Sequence, residues 1–112
     1  MRHLSEEAAE DVALYTMKMN KGIETLLANY EEWADILLNS SNTSEEYSLA
    51  MANMKKAMSD VLGVSEEFLT DDFITKNLKT IGEAANGSAE AIDSLMAVAA
   101  QEVLISIGFS EV

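Results

Sequence analysis

Val12, Tyr15, Met19, Ile23, Leu26, Tyr30, Trp33 or Ala34, and Leu37 return at steps of three and four residues, with no proline between them. That period gathers them on one face of a helix. Ser5, with Glu6 and Glu7 behind it, is a cap followed by an acidic first turn, so a first helix is predicted over about residues 5–38. At 1.5 Å per residue such a helix is about 50 Å long, more than one small domain covers. The part before Gly22 is therefore expected to project, to pair with another chain, or to bend at the glycine. Leu27 and Leu38 widen the stripe, which makes residues 23–38 the expected buried portion. A regular heptad does not hold, because Gly22 and Asn29 would fall on the seam.

The rest of the chain punctuates itself in the same helical idiom. No proline occurs anywhere, which favours helices joined by short capped turns. The polar run 39–44 is a linker, and Thr43 with Glu46 three residues on reads as a capping box. A second helix, 44–62, then carries Tyr47, Ala50, Met51, Met54, Met58, Val61 and Leu62 on one face. Gly63 permits a sharp exit, and two start signals follow: Ser65 before Glu66 and Glu67, and Thr70 before Asp71 and Asp72. A separate turn at 66–69 and a third helix over 70–85 are predicted, with Phe73, Ile74, Leu78 and Ile81 inward. Phe68, Leu69, Phe73 and Ile74 make this corner the apolar centre of the second half. Ser88 caps a fourth helix over 89–104, whose alanines allow close approach. Val103, Ile105, Ile107 and Phe109 alternate like a strand, but the helix is expected to reach about Leu104 and give way to an extended or frayed tail. The predicted fold is all-α, a small bundle of four main helices. Residues 1–22 form a projecting or oligomerising part, 23–107 the compact domain and 108–112 the tail.

Charge narrows the function. Twenty acidic against seven basic residues give a net charge of −13. Direct nucleic-acid binding is not expected on such a surface, since no basic cluster exceeds Lys55-Lys56. Anionic membranes are disfavoured likewise, and no apolar run reaches the roughly 18 residues of a spanning helix. A hydrophobic fraction of 48 % argues for a folded chain.

Catalytic chemistry finds little to use. The chain has no cysteine, and His3 is its one histidine, near the terminus, so a nucleophile has no base beside it. Three adjacent carboxylate pairs, at 45–46, 66–67 and 71–72, open predicted helices, where the dipole favours them. Glu31, Glu32 and Asp35 share a patch but lack a histidine or a calcium-loop spacing. Gly82 and Gly87 are not followed by the lysine and hydroxyl of a phosphate loop. No enzyme, cofactor or metal is expected. The candidates that remain are protein contacts. Val12, Tyr15 and Met19 lie on the first helix, while Met51, Met54 and Met58 form a soft ribbon that either fills the core or meets a partner. Trp33, Tyr30 and Tyr47 are expected to join the first two helices.

The runs MANMKKAMSDVLGVSEEFLTDDFI, 51–74, and KNLKTIGEAANGSAEAIDSLMAVAAQE, 76–102, carry a resemblance. Their most specific parts are Leu62-Gly-Val with Phe68-Leu-Thr-Asp-Asp-Phe, then Ala84-Ala-Asn-Gly ahead of Ala91-Ile-Asp-Ser-Leu. Over roughly residues 28–107 the chain resembles segments of tail tape measure proteins of siphophages and of prophages in Firmicutes. These are long, mostly helical chains whose length sets the length of the tail and around which tail-tube subunits polymerise. The resemblance implies an excerpt of a longer protein, partners among tail-tube or tail-assembly proteins, or self-association through the first helix. It also implies a cytoplasmic location during assembly and the virion tail afterwards. The family has no universal site to carry over to particular residues. This segment departs from an extended ruler in having short capped helices of globular type.

Overall fold

A computed structural model describes residues 2–106, with side chains from residue 13 to 105. The chain is an all-α bundle: α1 (Arg2–Asn39), α2 (Glu45–Leu62), a 3-10 turn (Glu66–Phe68), α3 (Asp71–Lys76), α4 (Leu78–Ala85) and α5 (Ala89–Ser106). α1 and α2 form an antiparallel hairpin, and α4 lies against α1 in its carboxyl-terminal half, around Tyr30. α5 folds back on α4 and also covers α2 and the 3-10 turn.

The local signals act where they are strongest. Gly63 ends α2 in the left-handed region at φ 68°, donating its N–H to Ser59 O. The Thr70 hydroxyl accepts from Phe73 N at 3.1 Å, and the Ser88 hydroxyl accepts from Ala91 N at 3.2 Å, both as expected of those caps. The turn at 66–68 is also as read from the sequence.

Other boundaries move for identifiable reasons. α2 is capped by Ser44, whose hydroxyl accepts from Tyr47 N at 3.1 Å, rather than by Thr43. Ser41 diverts Thr43: their hydroxyls lie 2.8 Å apart, and Thr43 N also donates to Ser41 Oγ. α1 begins at Arg2, so Ser5 lies within the helix and does not start it. The single helix expected over 70–85 breaks at Asn77, where φ −108° and ψ 15° leave the helical region. Asn77 turns its own side-chain amide onto Phe73 O at 2.8 Å, and its backbone N–H bonds the same carbonyl. This asparagine competition with the backbone disfavours helix interiors. Among the described residues there is no strand, and α5 continues through Ser106; the strand-like positions 107–109 and the tail 108–112 lie outside them.

The core draws on nearly every element. Leu26, Met54, Met58, Leu69, Ile74, Ile81, Leu95 and Val61 are fully buried, with Phe73 beside them. No polar or charged residue is buried among the described residues. The corner after α2 is thus the junction of the two hairpins, as its apolar content suggested. Leu27 and Leu38 do not join it. They are 62 % and 72 % exposed, because the buried stripe of α1 runs through Leu26, Ala34 and Leu37.

The helix α1 runs without interruption through its glycine. Gly22 is buried and sits tightly against α2: a Cβ there would lie 2.8 Å from Val61 Cγ2 and 2.9 Å from the Ala57 carbonyl oxygen. Gly22, where a bend was one of three expectations, is thus a notch for the neighbouring helix. Two tyrosines fix α1 on either side of it. Tyr15 donates its hydroxyl to Val61 O at 3.2 Å, and its ring covers Gly63, where a Cβ would lie 2.9 Å from Cε1. Tyr30 donates to Leu78 O, with its ring against Gly82. Among the described residues, contact with the bundle thus extends amino-terminal to Ile23 at least as far as Tyr15. The helix backbone before Tyr15 continues for about 20 Å at 1.5 Å per residue.

Candidate functional site

The residues singled out as protein contacts are mostly structural. Met51, Met54 and Met58 point into the core and are buried, so the methionine ribbon is not a partner surface. Their flexible thioether side chains belong to the single buried cluster that the helices share, where such side chains fill irregular gaps. Tyr15 is occupied by Val61 and Gly63, and Met19 packs half-buried against the core. The side chain of Val12 lies outside the described ones. Trp33 and Tyr47 pack against the core from α1 and α2, whereas Tyr30 reaches α4 instead.

The carboxylates are spread over the surface and committed to local work. Glu45 and Glu46 occupy the first turn of α2, and Asp71 and Asp72 that of α3. Asp71 also pairs with Lys55, tying the start of α3 to α2, and Asp72 pairs with Lys76 one turn on at 2.9 Å. The hydrogen bond to Asp72, then its charge, raises the Lys76 ammonium above the ordinary lysine value. Asp35 accepts from Asn39 Nδ2 at 2.6 Å, on an exposed helix face shared with Glu31 and Glu32. Among the described residues no group of three or more histidines, cysteines and carboxylates could hold a metal. Burial raises the Tyr30 hydroxyl above the ordinary tyrosine value, keeping it a donor to Leu78 O.

What the fold does bring together is basic. Lys18 and Lys21 of α1 meet Lys56 of α2 along a cavity of about 460 Å³ between the two helices. Trp33 and Asn53 close one end. At the other end the cavity adjoins a second, of about 330 Å³, that shares Lys18 and Asp60 with it and is bounded by Leu14 and Val64. Among the described residues none of the three lysines forms an ion pair. Sequence reading missed this groove because Lys56 lies far from Lys18 and Lys21 along the chain, and each alone is an ordinary solvated lysine. Only the antiparallel pairing of α1 with α2 brings them together.

The groove and the helical core define a class of protein, an acidic all-α bundle with a local basic seam. Against family models, curated proteins and solved structures, the chain has no match. No helix among the described residues is long and apolar enough to cross a membrane.

Proposed function

We propose that this chain is a non-enzymatic structural domain of a phage tail tape measure protein, acting in tail assembly and length determination through protein contacts. The observation that carries this reading is the resemblance of residues 51–74 and 76–102 to segments of that family. Those runs cover most of α2, the corner after it, and α3 to α5. On this reading the partners are tail-tube or tail-assembly proteins, or a second copy through α1, and the site of action is the cytoplasm and then the virion tail.

In-frame deletion of this segment from a parent tail gene tests the reading by electron microscopy of tails. Drawn out as one helix, 112 residues span about 170 Å, against a longest dimension of 54 Å for the folded body. Tails shortened by a fixed increment up to the larger figure support a ruler segment, and the size of the increment reports whether the bundle stays folded. Tails of unchanged length, or a parent gene that stands alone outside a tail-assembly operon, would overturn the assignment. The second reading, a small acidic helical protein-binding module, is favoured by the lysine groove and predicts such a stand-alone gene.

A further inference from the structure

We propose that the groove between α1 and α2 is a docking site for an acidic amphipathic helix of a partner protein. The inference goes beyond the tail reading and does not depend on it. Three of the seven basic residues of a chain with net charge −13 line one seam, without ion pairs among the described residues although acids are abundant. At physiological ionic strength charges act over about 8 Å, so these lysines set the local potential whatever the net charge. An acidic partner is repelled by most of the surface and accepted here, which gives both position and orientation.

The occupant's shape follows from what else lies on the seam. Leu14, Met17, Lys18 and Lys21 stand at i, i+3, i+4 and i+7 on α1, one face of the helix. Leu14 and Met17 are 53 % and 68 % exposed, so both apolar side chains are open to a partner beside the two lysines. Trp33 provides a half-buried apolar wall at the opposite end. From Leu14 to Trp33 the seam is about 28 Å long, about five helical turns. A partner helix therefore carries bulky apolar residues near both ends and carboxylates between them at three- and four-residue spacing. Asp60 adds one acid to the groove and calls for a gap in the carboxylate row beside it. Single-stranded nucleic acid offers bases along its whole length rather than apolar groups at two ends, and fits the seam less well.

Fluorescence anisotropy with the full chain tests this. The probe is a labelled synthetic helix of about 20 residues, with leucines at both ends and glutamates between them. The expected result is saturable binding that weakens at least tenfold in Lys18→Glu/Lys21→Glu/Lys56→Glu and several-fold in Leu14→Ser/Met17→Ser. Binding is unchanged in Lys76→Glu/Lys79→Glu. The neutral triple variant with glutamine separates loss of attraction from introduced repulsion, and thermal melts by circular dichroism verify that each variant is folded. Absence of binding, binding indifferent to the lysine changes, equal binding of a probe with lysine in place of glutamate, or tighter binding of a single-stranded oligonucleotide would each overturn the proposal. Any of these leaves the tail reading standing, since tail length decides that separately.

Discussion

Gly22→Ala is the substitution for which helix propensity and packing predict opposite signs. In an exposed helix interior the change stabilises by about 1 kcal/mol, because glycine loses more backbone freedom on folding. At Gly22 the new methyl would sit 2.8 Å from Val61 Cγ2, 2.9 Å from the Ala57 carbonyl oxygen and 3.1 Å from Asp60 Cβ. The Val61 side chain is packed in the core and the carbonyl belongs to the α2 backbone, so neither yields alone. The helices must separate by about half an ångström or more, and a gap of that size forfeits a quarter or more of each dispersion contact across the seam. Overpacking of this kind costs about 2–3 kcal/mol, in the upper part of its usual range. Offset by propensity, the net loss is about 1–2 kcal/mol, a fall in Tm of roughly 5–10 °C for a domain near this size. Urea and thermal melts followed by circular dichroism measure it, with Ala28→Gly on the exposed face as the propensity control. A Gly22→Ala protein more stable than the parent by about 1 kcal/mol would refute the close approach.

The other expectations are simpler to work out. Phe73→Ala removes a buried ring at the junction of the hairpins and is expected to cost about 3–5 kcal/mol in urea melts; a loss below about 1 kcal/mol would show the corner to be loosely packed. Ser44→Ala is expected to cost about 1 kcal/mol through the lost cap, and Thr43→Ala under about 0.5 kcal/mol, since the Thr43 hydroxyl faces Ser41 instead. The Tyr30 hydroxyl titrates higher in the folded chain than in the unfolded one, so its contribution is fully present below the ordinary tyrosine value and is lost as pH rises through the higher folded one. Alkaline destabilisation should therefore be shallower in Tyr30→Phe, and an identical pH profile would argue against the burial of the Tyr30 hydroxyl.

Legibility in the sequence tracked how local each determinant is. Gly63, Thr70 and Ser88 act within a turn of themselves, and all three end or start helices as their chemistry requires. Thr43 and Ser44 are adjacent hydroxyls with equal claims, and the choice falls to Ser41, which occupies one of them. The break at Asn77 was masked by periodicity, because Phe73, Ile74, Leu78 and Ile81 remain inward across it. Gly22, the exposure of Leu27 and Leu38, and the convergence of three lysines all depend on which helix lies opposite. Periodicity finds a helix's apolar stripe but does not say how much of it a neighbour covers. The methionine ribbon was ambiguous for the same reason, and its burial resolves it as core.

The attachment of α1 has a mechanical side. Tyr15 and Tyr30 anchor the helix to backbone carbonyls of two different elements, about 22 Å apart along its axis, with the α2 ridge seated in the Gly22 notch between them. Tension applied along α1 from its amino end loads that seam in shear, so its apolar contacts resist together instead of parting one by one. A bundle of ordinary equilibrium stability thereby becomes stiff toward sliding in that direction, and yields more readily when α1 is lifted sideways from one end.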